Sequence, residues 1–192
     1  MHKKHRPLAH GRITCRLQQL IETARTTWGI PVTRHSVAKS TGLSITTVDA
    51  LYKAQSTLYD RRTLWKLCWY LNCGTADLLQ WTPPPEHTYL VRPTPPIYVG
   101  SIMLPRKLPV DSPAIRIAIP EQLARVKNIE IIRGTGLAEN TVAALLNTDH
   151  PPMRIAEKTL AAVLDFLSRR GGEEVALATL LIYDPPELSQ GG

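Results

Sequence analysis

Residues 41–51 read TGLSITTVDAL, and residues 135–145 read TGLAENTVAAL. Two versions of one eleven-residue phrase, ninety-four residues apart, indicate a duplicated unit. In each version a Gly follows a short amphipathic stretch, where it can take the left-handed conformation that ends a helix. The apolar residues beyond the Gly recur at helical spacing. The phrase therefore predicts two helices joined by a tight turn, present twice.

The similarity continues beyond the phrase, since residues 76–84 (ADLLQWTPP) are echoed by residues 178–186 (ATLLIYDPP). One position distinguishes the two copies. Ser44 can accept a hydrogen bond from a free amide in the first turn of the second helix, whereas Ala138 at the matching place cannot. We expect the C-terminal copy to start that helix less well.

The sequence VTRHSVAKSTGLSITTVDALYK (residues 32–53), followed by TLWKLCWYLNCGTADLLQW (residues 63–81), resembles the Cro and lambda-repressor-like (XRE family) helix-turn-helix domain. The resemblance covers most of one such domain, and the second copy is a divergent version. It implies a mainly α fold, with two tandem five-helix domains of this kind. A Pro-rich linker joins them.

In that family the helix after the Gly turn enters the DNA major groove, while the preceding helix crosses the backbone. The resemblance makes residues 33–40 the supporting helix and residues 44–53 the recognition helix. Asp49 departs from expectation, because a carboxylate facing phosphates is unfavourable unless it accepts from a cytosine amine. The DNA-binding residues carried over are Arg34, Lys39, Ser44, Ile45, Thr46, Thr47, Asp49 and Lys53.

The basic charge is concentrated in the first copy. Residues 1–81 carry 12 Lys and Arg against 4 Asp and Glu, whereas residues 113–192 carry 8 against 10. DNA affinity depends on neutralising phosphates, so the first copy is the better candidate for a DNA reader. The predicted segments are a basic arm (1–12), a helix-turn-helix domain (13–81), a Pro-rich linker (82–113), a divergent second domain (114–186) and a tail (187–192).

Two regions leave alternatives open. The arm, ahead of a first apolar helix near Ile13, is either a minor-groove element that uses Lys3, Lys4 and Arg6 or a solvated tail. The second domain is either a protein-binding or self-association module or a second DNA reader. Its DNA-binding candidates are Asn140, Arg133, Glu139 and Asn147.

An aromatic cluster and the linker are the remaining structural predictions. If Leu64, Leu67 and Leu71 form the buried stripe of their helix, Trp65 and Trp69 lie on an outer face with Tyr70 beside them. Such a pair implies a dimer or interdomain contact, the alternative being coverage by a larger core or by the linker. The linker has nine prolines in thirty-two residues, typical of an extended connector, although residues 97–104 and 114–119 are candidates for a short β-hairpin.

Several classes of function find no support in the sequence. Three cysteines show no metal-ligand spacing, and no nucleophile, zinc-protease or phosphate-loop motif is present, which predicts no metal, no cofactor and no enzymatic activity. No apolar run reaches membrane-spanning length. A cytoplasmic protein of a bacterial, phage or mobile-element context is expected.

These observations favour a sequence-specific regulator of transcription that binds double-stranded DNA and represses by occupying an operator, most simply as a homodimer. In one variant of this hypothesis the two domains act as a pseudo-dimer on unequal half-sites. The alternative is an adaptor or antitoxin-like protein, in which the helix-turn-helix repeats mediate protein–protein contacts.

Overall fold

The computed structural model describes residues 10–91, 93–94, 96–101, 115–118, 126–147 and 149–183. Helices dominate these residues, which confirms the mainly α fold. The described helices include none that is both long and apolar enough to cross a membrane. Lys3, Lys4 and Arg6 lie outside the described residues.

The N-terminal half, residues 10–82, contains five helices closed by a two-stranded sheet. Its elements are β1 (Arg12–Cys15), α1 (Leu17–Trp28), α2 (Arg34–Thr41), α3 (Ile45–Tyr52), β2 (Leu58–Asp60), α4 (Arg61–Leu71), α5 (Thr75–Leu78) and β3 (Leu79–Thr82). β1 and β3 are antiparallel, with Ile13 opposite Trp81. The prediction of a helix near Ile13 was therefore wrong. Ile13 and Cys15 are buried on one face of a strand, and the first helix begins only at Leu17.

The C-terminal half, residues 115–183, shows a related order of elements where it is described. Its elements are β4 (Arg116–Ile117), α6 (Asn128–Thr135), α7 (Glu139–Leu146), β5 (Arg154–Ala156), α8 (Glu157–Gly171), α9 (Leu177–Leu180) and β6 (Leu181–Ile182). β4 and β6 are antiparallel. The bond from the Ala118 amide to the Leu180 carbonyl (2.9 Å) matches the one from Arg16 to Leu78 (2.8 Å) in the N-terminal half.

β4 does not form the hairpin that was expected within the linker. Residues 97–101 are not in a strand, and residues 102–114 lie outside the described part of the chain. β4 pairs with β6 at the far end of its own half, as β1 pairs with β3. The apolar alternation in residues 115–117 is therefore explained by closure of the C-terminal half.

The two halves join through an antiparallel pair of strands, β2 and β5, with Tyr59 directly opposite Ile155. The hydrogen bonds on either side of this pair are reciprocal. The Arg61 amide donates to the Met153 carbonyl (3.0 Å), and the Glu157 amide donates to the Thr57 carbonyl (2.8 Å). Each half thus offers the same backbone positions to the other.

Side chains extend this reciprocity. Arg61, the first residue of α4, donates from Nε to the carbonyl of Ile115 in the C-terminal half. Glu157, the first residue of α8, accepts from the amide of Ile13 in the N-terminal half (3.1 Å). Each half therefore uses the first side chain of its long helix to hold the strand region of the other.

Trp65 and Trp69 are buried on α4 rather than placed on an outer face. Their exposed fractions are 0% and 5%, and their rings stack at 6.5 Å. Trp65 also packs against Tyr183 of the C-terminal half, with 6.4 Å between ring centroids. The outer-face prediction was wrong, because it treated the leucines as the whole buried stripe of a lone domain. The two rings are covered within the chain, by each other and by Tyr183.

The described residues that follow β3, up to residue 101, pack against both halves, so an extended connector does not describe them. Tyr89 stacks on Trp81 at 6.0 Å, and its hydroxyl donates to Oδ1 of Asp165 (3.2 Å). The Leu90 backbone bonds to Gly172 and Glu174. Proline content favoured extension, but the buried aromatic and the backbone bonds fix the path.

The three cysteines are free thiols inside the protein, and they give a direct test of packing. Burial raises the pKa of Cys15 to about 12 and that of Cys68 well above its ordinary value. Because only the thiolate attacks iodoacetamide, we expect native protein at pH 8 to remain largely unlabelled at these two positions. In concentrated urea all three thiols should react. Labelling of native Cys68 at the unfolded rate, measured by mass spectrometry, would contradict this burial.

Candidate nucleic-acid interface

Helix α2 begins with a reciprocal cap. The Thr33 hydroxyl accepts from the Ser36 amide (3.1 Å), and the Ser36 hydroxyl accepts from the Thr33 amide (2.8 Å). This pattern satisfies two amides that the first turn would otherwise leave without a partner. α2 therefore covers residues 34–41, against the predicted 33–40.

The turn after α2 depends on Gly42, which has a φ of 63°. The preceding Thr41 is fully buried, and its hydroxyl donates to the Val37 carbonyl (2.7 Å). A β-carbon at Gly42 would have space, so the requirement for Gly is one of backbone conformation. The turn fixes the direction in which α3 leaves α2.

Helix α3 starts at a well-made cap and buries one side. Ser44 accepts from the Thr47 amide (3.1 Å), and the two hydroxyls are 2.8 Å apart. Val48 and Leu51 are buried, while Thr46 is exposed. Because the Thr47 hydroxyl is engaged in the cap, Thr46 is the better hydroxyl for contacting a base edge or a phosphate.

Lys39 and Lys53 are the exposed cations at the C-terminal ends of α2 and α3. Lys39 lies in the last turn of α2, and Lys53 is the C-cap of α3. Ile45 is half-buried and packs against the core, so its contribution to an outer surface is partial. The predicted recognition segment, residues 44–53, thus consists of α3 and its two capping residues.

Arg34 and Asp49 form an ion pair across the turn, which sequence reasoning did not anticipate. The Arg34 Nη1 lies 2.7 Å from Oδ1 of Asp49, and both side chains are a third or more exposed. The guanidinium also lies 5.2 Å from the centre of the Tyr52 ring. The pair neutralises the Asp49 carboxylate and occupies the Arg34 group that was expected to clamp a phosphate. The two opposite charges are visible in the sequence, but the ion pair could be predicted from them only if the crossing of α2 and α3 were known.

The C-terminal half has the same turn with a weaker helix start. Gly136 has a φ of 67°, and the Thr135 hydroxyl donates to the Ile131 carbonyl (2.6 Å), as Thr41 does in α2. Ala138 makes no side-chain cap to α7. The geometry of the turn is retained although one capping bond is missing.

The candidate residues of the C-terminal half are exposed but differ in their engagement. Glu139 and Asn140 occupy the first turn of α7, and Arg133 lies in the last turn of α6. Asn147 accepts from the amides of Asp149 and His150, so it organises the following turn. Tyr70, named with the tryptophans as an interface residue, is half-buried against Trp28 at 6.0 Å.

Among the residues that the structure describes, there is no group of three or more His, Cys, Asp or Glu that could hold a metal ion. The buried carboxylate of Asp165 forms an ion pair with Arg169 (3.0 Å) and lies 3.2 Å from the His10 ring.

Comparison with known families finds that residues 29–84 match the Cro/C1-type HTH DNA-binding domain. This segment contains α2, the Gly42 turn, α3, α4 and α5. The match confirms the helix-turn-helix domain predicted in this part of the chain. No curated protein sequence and no solved structure matches the chain.

Proposed function

We propose, from the Cro/C1-type HTH domain in residues 29–84, that this chain is a sequence-specific regulator that represses transcription by occupying double-stranded DNA. The observation that carries the proposal is the capped α2–turn–α3 unit, with Thr46 and Lys53 exposed on its second helix. In this arrangement α3 enters the major groove and α2 crosses the phosphate backbone. Lys39 and Lys53 contact phosphates, while Thr46 contacts base edges.

The chain is further proposed to be a tandem duplication folded as a pseudo-dimer, in preference to the homodimer expected from sequence. In a two-fold interface, if residue i of one unit contacts j of the other, then j also contacts i. The reciprocal bonds of Arg61 with Met153 and of Glu157 with Thr57 follow this rule at a spacing of ninety-six residues. The Tyr59–Ile155 pair lies at the centre of these reciprocal bonds. α7 follows Gly136 as α3 follows Gly42, at an offset of ninety-four residues.

The two units of the pseudo-dimer are unequal in charge and capping. α7 begins with Glu139 and lacks a side-chain cap, whereas α3 begins after Ser44 and carries Lys53 at its end. An acidic first turn is a poor partner for phosphates. We therefore assign the tighter half-site to α3 and a weaker half-site, with Asn140 at an adenine edge, to α7.

Selection of bound duplexes from a random library with the full chain tests this function. The selected duplex is then titrated across salt, and the mass of the complex is measured by light scattering. Two dissimilar half-sites and one chain per duplex are expected, with affinity that falls steeply as salt rises. An inverted repeat with two chains would favour the homodimer. No enrichment, together with a stable protein partner, would favour the adaptor.

Asp49→Asn is expected to strengthen DNA binding a few-fold at low salt. The substitution removes a carboxylate and releases Arg34 from its 2.7 Å ion pair, so one more cation can meet a phosphate. The slope of log affinity against log salt should steepen by about 0.9 if that contact forms. Glu22→Gln on the exposed side of α1 is the control for loss of one negative charge. An equal gain in both variants, measured by fluorescence anisotropy, would show that only net charge matters.

A further inference from the structure

We infer that the outer face of the β2–β5 strand pair contacts the minor groove of the DNA beside the half-site of α3, with Arg154 as the reading side chain. This second contact rests on the proposed function, and it lies in a groove of the duplex that the helix-turn-helix does not enter. Its consequence is a preference for A·T base pairs at positions that α3 does not touch.

Side chains alternate across the strand pair, which separates an inner face from an outer face. Tyr59 and Ile155 lie directly opposite each other and are 2% and 3% exposed, so they define the inner face. Leu58 and Arg154, each one residue earlier in its strand, point the other way, and both are exposed. The outer face is therefore accessible from solvent at these two positions.

This outer face lies on the same side of the molecule as the outward surface of α3. Both contribute walls to one groove of about 320 Å³, which is lined by Thr46 and Ala50 of α3 and by Leu58 and Asp60 of β2. Thr46 is the exposed residue proposed to contact base edges. A duplex that meets Thr46 and extends toward the C-terminal half therefore passes over the outer face of the strand pair.

The geometry of B-DNA decides which groove meets the strand pair. One helical turn spans about 34 Å, so a duplex whose major groove faces α3 turns its minor groove to the same side about 17 Å further along. β5 lies beside β2 at a strand spacing of about 4.8 Å and belongs to the C-terminal half. Arg154, on β5, is thus placed along the duplex in the direction of this minor groove.

Arg154 has hydrogen-bond donors available for such a contact. Its side chain is 70% exposed, and its Nε lies 3.7 Å from Oδ2 of Asp60, which is longer than a hydrogen bond. The Oδ1 of Asp60 accepts from the amide (2.9 Å) and the hydroxyl (3.1 Å) of Thr63. Residues 57–63 and 153–159 together carry four Lys and Arg against two Asp and Glu, an excess of positive charge that favours phosphates.

An arginine in the minor groove distinguishes A·T from G·C base pairs. An A·T pair presents only acceptors there, whereas a G·C pair adds the 2-amino group of guanine, a donor that opposes a guanidinium. A·T tracts also have a narrow minor groove with a more negative potential. We therefore expect Arg154 to favour A·T pairs at the positions that it reaches.

Three versions of the selected duplex test this contact with the full chain. The half-sites stay constant, while the base pairs beside the α3 half-site are A·T, G·C or inosine·C. Inosine lacks the 2-amino group but keeps the major-groove edge of guanine, so it isolates the minor groove. The A·T and inosine·C versions should bind about ten-fold more tightly than the G·C version in fluorescence anisotropy. Equal affinity for all three, or inosine·C as weak as G·C, would overturn the inference.

A matched pair of variants assigns the contact to one side chain. Arg154→Gln should remove the difference between the duplexes, because the reading cation is lost. Arg170→Gln should retain it, since Arg170 also forms an exposed ion pair, with Glu130 at 3.2 Å, but lies on α8. A difference retained by folded Arg154→Gln would overturn the inference. If circular dichroism shows that this variant does not fold, the three duplexes with the unsubstituted chain decide.

Failure of this contact can be separated from failure of the proposed function. If scrambling a half-site weakens binding while the base pairs beside it have no effect, the minor-groove contact is refuted and the DNA-binding function stands. If no duplex is enriched in the selection, both are refuted.

Discussion

Trp65→Ala is expected to lower the free energy of unfolding by about 3–5 kcal/mol. The indole is fully buried, stacks on Trp69, and contacts Tyr183 across the junction of the two halves. Its removal leaves a cavity where α4 packs against Tyr183 of the C-terminal half, and the backbone pairing of β2 with β5 limits how far the site can collapse. Both halves should be weakened together.

Urea unfolding followed by circular dichroism measures this effect. The matched control is Tyr98→Ala, which removes an aromatic ring that is 66% exposed and should cost no more than about 0.5 kcal/mol. A loss below about 1 kcal/mol for Trp65→Ala, with an unchanged urea dependence, would contradict the packing of α4 against the C-terminal half.

The double substitution Thr46→Ala with Lys53→Ala is expected to reduce specific DNA affinity about a hundred-fold or more. A hydrogen bond from Thr46 to a base edge contributes about 1 kcal/mol and one from Lys53 to a phosphate about 1.5–3 kcal/mol. Both positions are exposed on the helix proposed to enter the groove. Neither side chain belongs to the buried face, so stability should be unchanged. The measurement is fluorescence anisotropy with the selected duplex and with a scrambled duplex.

Two further variants complete that experiment. Arg170→Ala is the charge control, since this exposed arginine lies near the end of α8 and pairs with Glu130 on the surface. Asn140→Ala with Arg133→Ala tests the C-terminal reader. A loss there confined to one half-site supports the pseudo-dimer, whereas no change restricts reading to α3. Full affinity in the Thr46 and Lys53 variant would refute the assignment of α3.

The helix-turn-helix unit was predictable because its determinants are local. Thr33, Gly42 and Ser44 act on backbone groups within four residues, and Val48 and Leu51 face the core by helical spacing alone. The predicted helices therefore agree with α2 and α3 to within one residue at each end, apart from the capping positions. The missing cap at Ala138 was visible for the same reason.

The ion pair of Arg34 with Asp49 was not predictable, since it depends on the crossing of two helices. Asp49 looked unfavourable in the sequence because its partner stands fifteen residues away. The contact of Trp65 with Tyr183 is a stronger case. The two rings come from segments that are distant in the chain, and no periodicity within one segment encodes their meeting.

The sequence by itself determined the mainly α fold, the helix-turn-helix unit and its exposed face, because turns, caps and amphipathic stripes act over a few residues. Only the tertiary structure decided where the tryptophans pack, where Tyr89 and Leu90 lie, and which strands link the halves. Each of these depends on surface contributed by remote parts of the chain. A stripe on α4 that is exposed in a lone domain becomes core when Tyr183 is brought against it.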